Sequence, residues 1–176
     1  ALRKADGETE EIRFKNKNKK EKAKTAPAIP KAVQSYLSDT SSFSPEWSGS
    51  ILRMLPESAR DASPLLREHL RILSAGICIG ETKGKDFIPA EELALSTALC
   101  PDAFPVADLD WDDAIRYLKK EALLLPAGTE KGYVLVRYKE FPLGFTKHLG
   151  NRANNLYPQE WRIRTGYVPE QVKTFG

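Results

Sequence analysis

The chain has 176 residues, of which 41% are hydrophobic and 29% charged, with two cysteines and two histidines. That is enough for one medium domain or two small ones with a real core. It contains no apolar run near the roughly 18 residues that span a bilayer and no secretory signal pattern. Cys78 and Cys100 are too few and too far apart for a disulfide framework or a self-sufficient zinc site, so a reducing cytoplasmic setting is expected.

The formal charge of +3 is unevenly spread. Residues 1–24 hold nine Lys or Arg against five Asp or Glu, and residues 25–176 hold eighteen against nineteen. The excess therefore sits in the first segment, and any polyanion site in the remainder has to be a local patch. The opening ALRK reads like the end of an element without its beginning, so further chain is expected upstream of it. RFKNKNKKEKAK and the proline-punctuated TAPAIP after it have the composition of a linker, either a solvated tether or a phosphate contact.

Order is expected from Pro30, at the start of a helix PKAVQSYL whose Val33, Tyr36 and Leu37 share a face. A Ser-rich turn follows, then a strand from Trp47 to Leu55, and Ser63 before Pro64 reads as an N-cap for PLLREHL. RILSAGICIGE reads as a buried strand. Lys83 to Lys85 form a turn, and Asp86 to Ile88 return as its hairpin partner. Pro89 is expected to start a helix, AEELALSTAL, with Leu93, Ala94 and Leu99 inward. CPDAFPVAD is the expected junction of two subdomains. From Asp86 to Ile115 there are eight acids and no Lys or Arg, so that face should repel RNA.

Asp110 is expected to cap a helix, WDDAIRYLKKEA, with Asp112 and Asp113 in its first turn and Lys119 and Lys120 near its end. GYVLVRY alternates as a strand, and FPLGFTKHL follows a two-residue Lys139-Glu140 turn as its hairpin partner. The expected class is α+β: two small packed subdomains, the second a β-barrel-type module with a helix.

Familiar catalytic motifs do not fit. Gly80 to Lys85 has one residue too few for a phosphate-binding loop and ends in Asp86. Cys78 among isoleucines reads as a small core residue rather than a nucleophile, and Cys100 beside Pro101 reads the same way. Neither His69 nor His148 has an acid or cysteine at ligand spacing. Asp108, Asp110, Asp112 and Asp113 could be read as a metal site, but they flank a helix start where capping accounts for them.

LGFTKHLGNRANNLYPQEWRIR, from Leu143 to Arg164, is different. It gathers Lys147, Arg152, Arg162 and Arg164 against the single acid Glu160, with Asn151, Asn154 and Asn155 and the aromatics Tyr157 and Trp161. Cations for phosphates, amides for base edges and 2′-hydroxyls, and aromatic faces for unstacked bases are the residue types RNA recognition uses. The bland alternative puts the asparagines in left-handed turns and the aromatics in the core.

At this segment the sequence resembles the C-terminal PUA-like RNA-binding domain of RsmF-type, Sun/Nop-family RNA (cytosine-5)-methyltransferases. The resemblance is carried by Leu143, Gly144, Lys147, Gly150, Asn155, Tyr157, Pro158 and Arg162. Upstream, Met54 to Pro56, the AGICIGE-turn-FIPAEELALS stretch and YLKKE look like the family's first C-terminal domain and the entry to the second, and ALRK looks like the end of the methyltransferase domain. Many members have Lys in place of Asn154 and Gly in place of Glu140.

The resemblance implies a parent transferase that uses S-adenosylmethionine, with an enzyme cysteine adding to cytosine C6 to activate C5 of a ribosomal RNA, the 16S RNA in the closest reading. The family's Pro-Cys and Thr-Cys motifs belong upstream, so neither catalysis nor cofactor binding is expected in this chain. It implies segments 1–4 (end of the methyltransferase domain), 5–28 (basic linker), 29–100 (first C-terminal domain) and 106–168 (PUA-like domain). Expected partners are structured RNA and the upstream methyltransferase domain. Expected RNA contacts are Lys147, Asn151, Arg152, Asn155, Tyr157, Arg162 and Arg164, with Lys83 and Lys85 as outliers. The rival expectations are a protein-interaction module anchored on Trp161, Tyr157 and Tyr167, and a metal enzyme using Asp108 to Asp113.

Overall fold

The computed structural model describes residues 29–166; the expected segments 1–4 and 5–28 and the aromatic Tyr167 lie outside them. Pro30, with φ −54° and ψ 135°, leads into a single helical turn, α1 (Lys31–Gln34). The helix expected to run to Leu37 stops early because its next backbone groups are used elsewhere. Tyr36 O accepts from Cys100 N at 2.8 Å, and Ser38 N donates to Ala98 O at 3.0 Å. Val33, Tyr36 and Leu37 are nonetheless all buried.

The expected strand Trp47–Leu55 is instead a hairpin of β1 (Phe43–Ser48) and β2 (Ile51–Pro56). Its alternation runs through Ser48-Gly49-Ser50, where Gly49 at φ 61° turns the chain. β3 (Ile77–Lys83) and β4 (Asp86–Pro89) complete an antiparallel meander in the order β1-β2-β3-β4. The strand expected from Arg71 begins only at Ile77. Gly76, at φ 65°, lies so close to β2 that a Cβ would sit 2.3 Å from Met54 O, and the chain before it leaves Leu73 85% exposed.

Helix α2 (Ser63–His69) starts at the expected cap residue itself, with Ala62 in the cap position. Ser63 is its first residue, and its hydroxyl accepts from Arg67 Nε at 3.2 Å instead of capping the backbone. The helix expected from Pro89 shortens to α3 (Glu91–Ala94), because Pro89 still pairs in β4 with Gly80. Leu93 and Ala94 are buried as expected.

The second sheet has the order β5-β6-β7-β8. β5 (Val106–Asp108) pairs parallel to β6 (Gly132–Tyr138) inside the stretch read as a junction. β6 and β7 (Phe141–His148) form the expected hairpin, and β8 (Ala153–Asn155) closes the sheet's far edge. Asp110 caps α4 (Trp111–Leu118) by accepting from Asp113 N at 2.8 Å, as its position in the sequence demands. The four described strands form an open sheet and not the expected barrel: both edge strands are three residues long, and closure around a packed interior takes more strands than four.

The cross-strand register decides what each face of this sheet meets. Tyr133 and Leu135 on β6 lie opposite Lys147 and Phe145 on β7. Leu135 and Phe145 pack with Leu52, Met54, Ile79 and Leu93 of the first unit. Val134 and Val136 alternate to the other face and pack on Ala114 and Tyr117 of α4. An aromatic series spans the seam, with Tyr36 and Phe104 at 4.5 Å and Phe104 and Phe145 at 4.7 Å between ring centres. The result is α+β, two subdomains packed through a shared core.

Candidate nucleic-acid interface

Lys147, Tyr133 and Asn154 form a row across three strands: Tyr133 opposes Lys147 and Lys147 opposes Asn154. They lie on the face that packs on the first unit, beyond the end of the shared core. The Lys147 ammonium sits 5.1 Å from the centre of the Tyr133 ring. It also donates to Asp86 Oδ2 on the β3–β4 hairpin, which raises the lysine's pKa. This contact joins residues 61 apart in sequence. It brings the hairpin tip, with exposed Lys83 and Lys85, to the edge that holds Lys147.

Asn151 and Arg152 are exposed in the β7–β8 turn, which Leu149 N closes by donating to Arg152 O at 2.9 Å. Gly150 in that turn has φ 106°, and a Cβ on it would sit 2.8 Å from Lys131 Cε. Lys131 thus lies over the turn beside Asn151 and Arg152. It is a cation that the sequence pattern did not single out; its only signal is a charge directly before β6. Lys83 and Lys85 of the first subdomain and Lys131, Lys147 and Arg152 of the second thus lie around the Asp86–Lys147 contact, a basic edge interrupted by Asp86 and flanked by the exposed acids Glu81 and Glu130.

Asn155 does different work. Both hydrogens of its amide are used, Nδ2 donating to Tyr117 O at 2.8 Å and to Glu121 O at 3.0 Å, while its Oδ1 accepts from Tyr157 N at 2.9 Å. It caps the C-terminal end of α4, whose last carbonyls need donors. Tyr157 is half-buried, edge-on to Tyr117 at 5.4 Å and to Trp161 at 6.3 Å, and its carbonyl accepts from Lys120 Nζ. Of the two expected stacking faces, Trp161 is the exposed one, at 49%.

Arg162 and Arg164 are exposed and lie on the α4 side of the sheet, where Ile163 N donates to Leu118 O at 2.9 Å. With Lys119 and Glu121 they line an open cleft of about 390 Å³. The Gln159 amide oxygen, turned to the guanidinium, accepts from Arg162 Nη1 at 2.9 Å. The expected cluster is therefore split by sheet 2 into a basic edge on its first-unit face and an arginine pair on its helix face.

The remaining titratable groups hold the fold. Glu91 of α3 is buried where the subdomains meet; the one Tyr117 hydroxyl hydrogen is shared between Glu91 Oε2 at 3.3 Å and Phe145 O at 3.2 Å. Burial pushes the Glu91 carboxyl up to about 7, against the lowering effect of its hydrogen bonds to Tyr117 and to the Phe145 backbone. Asp108 pairs with Arg137, Asp113 with Arg116 at 3.5 Å, and Asp110 is the helix cap. No group of three or more His, Cys, Asp or Glu suited to a metal occurs among the described residues. Burial raises the Cys78 thiol's pKa, which works against a thiolate nucleophile. His148 is buried with Nδ1 3.0 Å from Glu130 O, and His69 is exposed on α2. No helix among the described residues is long and apolar enough to cross a membrane.

Residues 104–163, the span of β5, α4 and β6 to β8, match the family described as Methyltransferase RsmF PUA domain. The chain is also similar to the protein named Ribosomal RNA small subunit methyltransferase F from Shewanella baltica strain OS195, at 32% identity over 110 residues. The protein of that name from strain OS155 shows the same identity over the same length. Each match covers 60% of this chain and 22% of the relative, so the chain spans little more than a fifth of the relatives it matches. The C-terminal part of this chain is thus similar to the C-terminal region of RsmF-type methyltransferases, with residues 104–163 matching their PUA domain.

Proposed function

We propose that this chain is the RNA-binding C-terminal part of a ribosomal RNA methyltransferase, and that it holds structured RNA for a catalytic domain elsewhere in the parent protein. The observation that carries this reading is the basic edge of Lys83, Lys85, Lys131, Lys147 and Arg152, which continues from one subdomain to the other. Cations at this edge suit RNA phosphates, while Asn151 and Asn154 offer amides to 2′-hydroxyls and base edges. Residues 29–100 and 106–168 act as the two halves of this platform. The acidic stretch from Asp86 to Ile115 limits where RNA can lie.

The parent protein is proposed to be an S-adenosylmethionine-dependent cytosine-5 methyltransferase acting on 16S ribosomal RNA in the cytoplasm, with the upstream methyltransferase domain as this platform's partner. One apolar groove does not suit that cofactor. The apolar groove of about 400 Å³ between α1 and β1, lined by Val33, Leu37, Phe43 and Met54, has no acidic side chain for a ribose and no glycine-rich turn. No step of methyl transfer is assigned to this chain.

The test is fluorescence anisotropy of a ribosomal RNA stem-loop with the chain, titrated over a range of salt. Lys147→Glu with Arg152→Glu is expected to weaken binding by about tenfold or more and to flatten the salt dependence by about two phosphate contacts. Unchanged binding by this well-folded double variant would remove the basic edge as the site. Arg162→Glu with Arg164→Glu, measured in parallel, decides whether the arginine pair on the helix face also touches RNA.

A further inference from the structure

Asp86 opens β4 directly across the hairpin from Lys83 and next in the chain to Lys85. Its carboxylate accepts from Lys147 of the other subdomain, while the Lys147 ammonium also rests against the Tyr133 ring. The Asp86 carboxylate thus stands among Lys83, Lys85 and Lys147, with Glu81 the next acid on the hairpin. An anionic oxygen accepting from a lysine ammonium, with further lysines close in the chain, is also the arrangement of an RNA phosphate on such a surface. The Asp86 side chain is 56% exposed and that of Lys147 34% exposed. Ion pairs this open to water are weak, so a competing anion can exchange into them.

We propose that Asp86 holds the place of an RNA phosphate in the unbound protein and is displaced when RNA binds, so that it lowers affinity and favours ligands dense in phosphate over isolated anions. This rests on the RNA-binding reading above. A polyanion that replaces the carboxylate gains Lys147 and releases counterions, which an isolated anion does far less. Displacement also uncouples the hairpin tip from β7, leaving Lys83 and Lys85 to follow the ligand. Until RNA arrives the pair adds one weak surface contact between subdomains that the shared core already holds together.

The experiment compares the parent chain with Asp86→Asn, Lys147→Gln, the two combined, and Asp102→Asn, which removes one exposed acid in the turn before β5. Binding of the same stem-loop is measured from low to high salt. Asp86→Asn is expected to bind about three- to tenfold tighter at low salt, with the gain shrinking as salt rises. Asp102→Asn should change affinity much less, and the gain from Asp86→Asn should vanish in the Lys147→Gln background. Equal or weaker binding by Asp86→Asn would overturn the proposal and mark the carboxylate as a positioning group for Lys147. An equal gain from Asp102→Asn would overturn it in favour of bulk charge. If the parent binds and Lys147→Glu with Arg152→Glu abolishes binding while Asp86→Asn changes nothing, only the role of Asp86 falls. If the parent shows no salt-dependent binding, both readings fall together.

Discussion

The buried carboxylate of Glu91 on α3 accepts a hydrogen bond from the hydroxyl of Tyr117 on α4, and the two side chains meet over Gly144 of β7. This contact ties the first unit to the second from inside, where the basic edge ties them at the surface. Its polar groups are incompletely matched: Glu91 Oε1 has no hydrogen-bond partner among the described residues. A carboxyl in that position keeps its proton to a higher pH than one in water.

Stability should therefore depend on pH through Glu91. With a folded pKa of about 7 and an unfolded value of 4.5, the native state binds more protons between those limits. The contribution is fully present below about pH 4.5, falls as pH rises through 7, and stays low above it. Glu91→Gln, which keeps the shape without the charge, should remove this component and stabilise the chain above pH 7 by up to about 3 kcal/mol. Paired thermal melts of parent and variant from pH 4 to 8 test it. The groups facing Glu91 are Tyr117, the Phe145 backbone, Lys120 and Tyr157, none of them another acid. A difference between the two proteins that does not vary with pH would count against this account.

Gly144→Ala should be among the most damaging single changes. At φ 146°, its Cβ would lie 2.1 and 2.2 Å from the Glu91 carboxylate oxygens and 2.2 Å from Tyr117 Oη. A loss of about 3 kcal/mol or more in denaturant unfolding is expected. The same change in a Glu91→Ala background should cost less, since one of the two clashing groups is gone. An equal cost in both backgrounds would show that backbone conformation alone sets the requirement for glycine.

Asn155→Ala should reduce stability by about 1–3 kcal/mol, because the Glu121 carbonyl loses its side-chain donor and the Tyr117 carbonyl keeps only the Lys120 backbone N–H. RNA affinity of the fraction that remains folded should stay within about twofold of the parent, since the amide is committed to the fold. Calorimetry for the first quantity and anisotropy at low temperature for the second separate the two roles. A large loss of affinity with unchanged stability would restore Asn155 as a direct contact.

Glu140→Gly should stabilise. Lys139 and Glu140 both hold positive φ, 47° and 69°, in the two-residue turn between β6 and β7. Glycine carries no Cβ penalty in such a turn, so a gain of about 0.5–1 kcal/mol is expected in chemical denaturation.

How much of this could be read from the residues themselves differs from one element to the next. β6, β7 and their turn follow from GYVLVRY, Lys139-Glu140 and FPLGFTKH, because alternation and turn position are local properties. The Asp110 cap is local too. β5 is not: three residues, Val106 to Asp108, carry too little pattern, and they become a strand only because β6 lies alongside in parallel register. The early end of α1 and the late start of β3 have the same origin, since Tyr36 O and Ser38 N are taken by residues 98–100 and Gly76 is pressed against β2. The Trp47–Leu55 alternation misled because a Ser-Gly-Ser turn can sit inside it without breaking the period.

The sequence by itself determined the α+β class, the concentration of cations and amides between Leu143 and Arg164, and the likeness to a methyltransferase C-terminal region. Local composition and spacing are sufficient for the first two, and the third rests on the resemblance of the residues from Leu143 to Arg162 to that family. Tertiary structure alone decided which of those residues act together. It committed Asn155 to the end of α4 and set Arg162 and Arg164 on the opposite side of the sheet from Lys147. It also brought Lys83, Lys85 and Lys131 to the basic edge, with Asp86 at its centre. The reason is that face and neighbour depend on cross-strand register and on packing between distant segments, and a contact such as Asp86 to Lys147, 61 residues apart, leaves no trace in local pattern.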